Sequence, residues 1–330
     1  MSRLVLAGDV GATKTLLGIF REEDRQLSLV REHRFATPQY PSLESICAEF
    51  MAAGPETGIG AACFGVPGPV IGGTATPSNI AWQISDKAMS SALGGIPVML
   101  VNDLGATALG VVHLPETDSV VINHGASLMH GNVAVIAAGT GLGEAALLAG
   151  KGERYHLIAS EGGHASFAPV GEEQIELLRF LEHEFGHVSW ERVLSGPGQV
   201  NVYRFLRGRS SEKEPEWLTA AIASGDPAHA ITEAALSGRD GVCAHALEMF
   251  CAMYGAEAGN LALKVLALGG VFVCGGIAPK ILPMLQGGAF MRGFTHKGRL
   301  ATMLRQIEVR VVTNPDVALL GAAHSARAML

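Results

Sequence analysis

Several things are missing from this 330-residue sequence, and each absence narrows what it does. It has no C-x-x-C pair: Cys47, Cys63, Cys243, Cys251 and Cys274 are odd in number and scattered. That excludes a disulfide framework and reads as reduced core thiols in a cytosolic protein. No secretory signal is expected, because the opening "MSRLVLAGDVG" has one arginine and an apolar run that Asp9 cuts short. The most apolar tract, "LALKVLALGGVFVCGGIA" (261–278), contains Lys264 and four glycines, so it predicts a helix-to-strand passage in a core and no membrane span. Charged residues make up 17%, and the formal net charge is −7. A nucleic-acid partner needs a basic face and is not expected.

What is present suits a well-packed α/β enzyme of two domains: 48% hydrophobic residues, with 42 glycines and 15 prolines and no low-complexity run. The stretch "GDVGATKT" (8–15) nearly spells the P-loop G-x-x-x-x-G-K-[ST], but threonine stands at position 13 where the second glycine belongs. Its surroundings exclude a P-loop, which lies between a strand and a helix. Here "RLVLAGDV", "TLLGIF" and "LSLVREHRF" are three β-rich runs, an antiparallel meander whose first turn is the glycine stretch. Small residues there let backbone N–H groups approach a phosphate. A carboxylate beside a phosphate is repulsive unless a divalent cation lies between them, so Asp9 points to a Mg-nucleotide loop, with an ordinary hairpin turn as the alternative.

A second copy of the pattern favours the phosphate reading. "NVAVIAAGTGLGEAALLAG" (132–150) is again strand, glycine turn, strand. Gly139-Thr140-Gly141-Leu142-Gly143 could pass for a Rossmann fingerprint, but Glu144 occupies its sixth position and the next run ends too soon for a helix. Two such turns suggest two related halves around one nucleotide. A third glycine cluster, "GGVFVCGGIAP" (269–279), follows a strand. Helices are expected over 42–53, 85–93, 172–186, 227–266 and 317–330, and "AACFGVPGPV" and "IPVMLVNDLG" begin as buried strands. In 172–186, Ile175, Leu178, Leu181 and Phe185 share one face.

Together with the two glycine turns, "VNDLGATALG" (101–110), "SEGGHASFAP" (160–169) and "GHVSWERVLSGPG" (186–198) resemble the bacterial glucokinases, in the same order and over essentially the whole chain. The zinc-binding cysteine cluster of the related repressor and kinase group is absent, which places the resemblance in the non-zinc branch. The sequence departs from the family at Ala12-Thr13-Lys14, where Gly-Thr-Asn is common; the alanine is tolerated if its φ is negative. The resemblance implies an actin-like (ribonuclease H-like) ATPase fold with the active site in the interdomain cleft. Residues 1–112 plus 314–330 would form the small domain and 113–313 the large one. It also implies ATP and Mg2+, glucose as substrate, phosphorylation at the 6-hydroxyl, and a cytoplasmic homodimer.

Residue by residue, the resemblance makes Asp103 the base for the sugar's primary hydroxyl. Asn102, Glu161, His164 and Glu191 join it in binding the sugar, with Asn79 as an additional contact. Carboxylates accept vicinal hydroxyl protons, while Asn and His serve both directions. Gly8, Asp9, Val10, Gly11, Ala12 and Thr13 form the first phosphate turn and Gly139, Thr140 and Gly141 the second, with Gly275 and Gly276 beside the adenosine. Structural alternatives stay open: Asp103 as an N-cap for a helix beginning at Leu104, Glu161 as a cap or salt-bridge partner, His164 as a core histidine, Glu191 and Arg192 as an ion pair. Lys14 either touches a phosphate or faces solvent. "HEFGH" (183–187) satisfies the zinc-protease pattern H-E-x-x-H, but Gly186 falls at the expected helix end and no distant third ligand follows. Another hexose such as mannose or an amino sugar, or another phosphoryl donor, fits the same machinery. A catalytically silent sugar sensor is the alternative of a different class. Intact phosphate turns, Asp103, and the lack of a helix-turn-helix segment ahead of residue 1 favour catalysis.

Overall fold

Runs of Val, Leu, Ile and Ala that are apolar at nearly every position need cover on both faces of a sheet, and the inner strands of the two large sheets are such runs. The computed structural model describes residues 3–24, 26–77, 79–125, 130–152 and 155–330. They divide into two compact units, Met1–Thr117 with Asn314–Leu330, and Asp118–Thr313.

In the first unit, β1 (Arg3–Val10), β2 (Thr15–Glu23) and β3 (Gln26–Phe35) form the expected antiparallel meander. After α1 (Leu43–Ala52), β4 (Ile59–Val66) lies parallel to β1. Three two-residue strands, β5 (Val70–Ile71), β6 (Thr74–Ala75) and β7 (Ile84–Ser85), make a small separate sheet before α2 (Asp86–Ala92). Strand β8 (Val98–Asn102) then joins β4 in parallel, giving the order β3-β2-β1-β4-β8, and α3 (Asp103–Val111) follows without a loop. Leu6, Leu17, Ile19 and Phe64 bury one sheet face against Ile46 and Phe50 of α1. Each such fully buried side chain contributes about 1.5–3 kcal/mol.

The second unit repeats the plan. Strand β9 (Ser119–Asn123) comes first; β10 (Val133–Ala138), β11 (Leu142–Ala149) and β12 (Tyr155–Ser160) are again an antiparallel meander. Helices α4 (Gly171–Phe185), α5 (Gly196–Arg209), α6 (Glu216–Ser224), α7 (Pro227–Leu236) and α8 (Gly241–Val265) come next. Strand β13 (Gly270–Cys274) lies parallel to β10, α9 (Leu282–Gln286), α10 (Ala289–Thr295) and α11 (Ala301–Arg305) follow, and β14 (Val309–Val312) extends the sheet in parallel. The order β12-β11-β10-β13-β14 matches that of the first sheet, with β9 added antiparallel at the edge. The chain returns to the first unit as α12 (Val317–Arg327), whose Leu319, Ala322 and Ala323 cover the other face of β1 and β2 with Val5, Ala7 and Leu16.

Expectation and structure differ at three places. The helix expected over 227–266 is two helices, with Gly238 in the left-handed region (φ +67°) between α7 and α8 and Asp240 capping the second through Cys243 N–H at 2.8 Å. Helices α5 and α6 were not expected; α5 opens on Gly-Pro-Gly, a sequence that reads as a turn. Helix α3 starts at Asp103 with Asn102 as its cap, so the alternative of Asp103 capping a helix that begins at Leu104 does not hold. Among the described residues no helix is long and apolar enough to cross a membrane. All five cysteines are buried and unpaired.

Candidate active site

The first glycine turn joins β1 to β2 and is held from behind. Gly11 N–H donates to Lys14 O at 2.9 Å, closing the turn. Thr37, 1% exposed, donates its hydroxyl to Gly11 O at 2.7 Å and its N–H to Thr13 O at 3.3 Å. Ala12 is not among the residues with positive φ, so it takes the place of glycine without strain. Lys14 and Thr13 are exposed, while Asp9 is half-buried at the end of β1. Burial, and then the negative charge of Asp103, push the Asp9 carboxyl up to about 6; Asp316 adds to this, and Lys14 and Arg34 oppose it.

Asp103 reaches that neighbourhood from the junction of β8 and α3. The helix cap belongs to Asn102, whose Oδ1 accepts Leu104 N–H at 3.0 Å and Gly105 N–H at 3.2 Å. Its Nδ2 donates to Gly68 O at 3.0 Å, which leaves one amide proton for a ligand. Asp103 is the first helical residue, its Oδ1 accepting Leu104 N–H at 2.8 Å. Asn102 fixes the start of the helix and thereby the place from which the Asp103 carboxylate projects. Asn79 is exposed in the loop between β6 and β7.

In the second unit the remaining candidates gather around the start of β11. The second turn closes through Gly139 N–H to Gly141 O at 2.8 Å, and Gly196 N–H at the start of α5 donates to Gly139 O at 2.9 Å. Glu191 Oε2 accepts Leu142 N–H at 3.0 Å. Arg192 makes no ion pair with it and lies over the Phe185 ring, 4.1 Å from its centroid. Glu161 and His164 flank a single helical turn, with His164 N–H donating to Glu161 O at 3.0 Å, and Gly163 rests against the Leu142 carbonyl with no room for a Cβ. Both side chains are exposed, and Glu161 makes no capping bond, so neither serves the core or the turn itself.

Gly275 follows β13 with φ +85°, and a Cβ there would strike the Ala138 carbonyl; only glycine brings β13 so close to the second turn. Beside Gly139, Thr140 and Gly276 opens a pocket of about 1100 Å³, walled on the far side by Pro197 of α5 and Ala228 and Leu236 of α7. That is ample room for a nucleoside.

A sequence-family model described as Glucokinase matches residues 6–329. The chain is 38% identical over 334 residues to a curated glucokinase of Nostoc punctiforme, covering 97% of this chain and 98% of that one.

The chain belongs to the glucokinase family.

Its structure superimposes on a solved glucokinase from an Antarctic psychrotroph with a TM-score of 0.88 and 30% identity, covering 98% of this chain and 99% of that one. A glucokinase of the ROK family from Streptomyces griseus, solved in complex with glucose and AMPPNP, shares the fold at a TM-score of 0.65 and 23% identity, covering 98% and 99%. The α/β architecture is thus the actin-like fold of glucokinases and ROK sugar kinases, and the chain is a kinase of that family.

Within this glucokinase fold, "HEFGH" does not present its two histidines on one helix face. Helix α4 ends at Phe185, Gly186 turns with φ +70°, and His187 lies beyond the helix with Nε2 3.3 Å from Ser166 Oγ. Sequence reasoning missed three supports. One is Thr37 behind the first turn. Another is the α5–α7 wall of the pocket. The third is Tyr254 of α8, fully buried, whose hydroxyl accepts Ala138 N–H at 3.1 Å and lies 3.2 Å from Cys274 O. Tyr254 thereby ties the end of β10 to the end of β13, directly beneath the second turn and Gly275. None of these carries a local motif.

Proposed function

We propose that the protein transfers the γ-phosphoryl group of ATP to the 6-hydroxyl of glucose, with Asp103 as the general base. The observation that carries this reading is the gathering, around one end of β11, of a glycine turn, a nucleoside-sized pocket and three side chains chemically suited to hydroxyls, Glu161, His164 and Glu191. The glucose and AMPPNP bound to the Streptomyces griseus relative support the same pair of substrates here.

A sugar hydroxyl is a weak nucleophile at neutral pH, so the protein must position it and receive its proton. As the new O–P bond forms and the bond to the departing ADP breaks, the hydroxyl proton passes to the Asp103 carboxylate. Glu161, His164 and Glu191 hold the neighbouring hydroxyls, and Asn102 adds its remaining amide proton. Backbone N–H groups of Gly8–Thr13 and Gly139–Gly141 hold phosphate oxygens, and Gly275 and Gly276 face the adenosine.

The donor chemistry fits a divalent cation brought in with the nucleotide. Among the described residues no three acidic, histidine or cysteine side chains gather to hold a metal alone. What the first unit offers is Asp9, a carboxyl held against the charges of Asp103 and Asp316, a repulsion that a hard, oxygen-seeking cation relieves. Asp9 would hold Mg2+ through water, and the cation would supply neutralisation of the phosphate charge. A homodimer in the cytoplasm is part of the same reading; sedimentation equilibrium checks the first element.

The test is ADP release with Mg-ATP and a panel of hexoses. Glucose-dependent turnover that exceeds turnover with mannose and glucosamine supports the assignment, and equal ATPase rates with and without sugar contradict it.

A further inference from the structure

Two carboxyl groups adjoin inside the second unit, and the chemistry derived above uses neither. Glu144, on β11, is 2% exposed, and Glu257, on α8, is 0% exposed. Both oxygens of Glu257 are occupied: Oε1 accepts Lys264 Nζ at 3.2 Å and Oε2 accepts Asn260 Nδ2 at 2.7 Å. Glu144 Oε1 has no donor to accept from. Two ionised carboxylates packed together, one of them with an orphaned oxygen, would be costly to bury. A single proton removes both problems, because a protonated Glu144 becomes a donor to its neighbour.

The charges around the pair do not offer another solution. Lys264 pairs with Glu257 and is half exposed. Lys297 Nζ is taken by Asn260 Oδ1 at 2.6 Å and Ala256 O at 2.9 Å, and burial lowers its pKa. The Tyr254 hydroxyl is committed to the backbone of β10 and β13. Burial first, and then the charge of Glu257, push the Glu144 carboxyl up to about 8, with Lys264 pulling the other way.

The place of the pair gives it a task. A Cβ on Gly162 would strike Glu144 Oε2, so this carboxyl lies directly behind the turn that presents Glu161 and His164. From the same side, Ser160 Oγ accepts Gly162 N–H at 2.9 Å. We propose that Glu144 is a positioning residue for sugar binding: it shares one proton with Glu257 and, kept neutral, supports the Glu161–His164 turn from behind. This rests on reading that turn as the sugar site. Loss of the proton places a second negative charge in a sealed space behind the turn. Sugar affinity then falls, while the chemistry at the 6-hydroxyl, carried by other residues, changes less.

The experiment measures glucose binding by calorimetry without nucleotide, and KM and kcat, from pH 6 to 9.5, for the wild type, Glu144→Gln and Glu257→Gln. The expected result is a glucose Kd and KM that rise several-fold in the wild type as pH passes 8, with kcat changed less than twofold. Glu144→Gln, an uncharged isostere, is expected to bind at neutral pH like the wild type and to show no alkaline rise. Glu257→Gln, which removes the partner's charge, is expected to move the rise to lower pH or abolish it, and keeps the test open if the first variant does not fold. An infrared band of a buried protonated carboxyl, present at pH 7 and absent in Glu144→Gln, is expected independently of activity. A wild type that binds glucose equally at pH 7 and 9, or variants that follow the wild-type profile, would overturn the proposal alone. A wild type that binds no hexose at any pH would overturn the sugar-site reading and this inference with it.

Discussion

Glu191 Oε2 and Leu142 N are joined by a hydrogen bond of 3.0 Å, which ties a side chain assigned to the sugar to the first residue after the second phosphate turn. On the proposed function, one carboxylate has two duties: it binds the sugar and holds the residue after the turn. Truncating it by Glu191→Ala is expected to raise the glucose KM at least tenfold and the ATP KM by about three- to tenfold, the worth of one lost hydrogen bond. Glu191→Gln, which still accepts from Leu142 N–H, is expected to affect glucose and spare ATP. Steady-state KM values for both substrates check this; an unchanged ATP KM in Glu191→Ala would mean that the bond does not hold the turn.

Asn102 is the cap through which Asp103 is aimed. Asn102→Ala is expected to destabilise the protein by about 1 kcal/mol, as for other lost caps, and to lower kcat by more than that loss of stability alone would. Denaturant unfolding and kcat on the same preparation check the two parts. Asn102→Asp, which keeps the cap, is expected to restore stability.

Asp9 carries a pH dependence with a definite sign. Its pKa in the folded protein is raised from 3.8 to about 6, so the fold favours the protonated form. The stabilisation is full below 3.8 and is lost as pH rises through 6. Near neutrality ionised Asp9 therefore costs stability, and Asp9→Asn is expected to raise the melting temperature. On the proposed role of Asp9 in holding the Mg-nucleotide, only the ionised form serves, so the ATP KM is expected to climb as pH falls below about 6. Asp9→Asn is expected to flatten that climb while raising the ATP KM at neutral pH roughly tenfold, the scale of a charged hydrogen bond. Melting curves and KM against pH check both signs.

Tyr254→Phe leaves Ala138 N–H and Cys274 O without their partner in a sealed core, which costs about 1–3 kcal/mol. Because that hydroxyl joins the strand ends beneath the second turn, the ATP KM is expected to rise, with glucose affinity retained in calorimetry.

Much of this was legible in the sequence because it is local. Both meanders, the two glycine turns and the helix-to-strand passage over 261–278 announce themselves through runs of apolar residues and the glycines between them. The helix end at Gly186, which separates the two histidines of "HEFGH", was legible for the same reason. What stayed hidden depends on partners far apart in the chain. Tyr254 meets Ala138 across 116 positions, and Glu144 meets Glu257 only once α8 lies on the sheet. Thr37 reads as a loop threonine until the meander places it behind Gly11. Helix α5 is masked by its own first turn, Gly-Pro-Gly, where proline at the second position suits a helix start as well as a loop. At Asn102 and Asp103 the residues were identified, but which of them caps α3 depends on the exact residue at which β8 ends.

The central claim is that Asp103 accepts the proton of a glucose hydroxyl while ATP gives up its γ-phosphoryl group. The most direct measurement is ADP release with Mg-ATP and glucose for the wild type beside Asp103→Ala, with glucose binding measured on both. The account predicts glucose-dependent turnover in the wild type, a kcat lower by about 10²–10⁴-fold in the variant, and glucose binding retained to within tenfold. Turnover in Asp103→Ala within a few-fold of the wild type would contradict it.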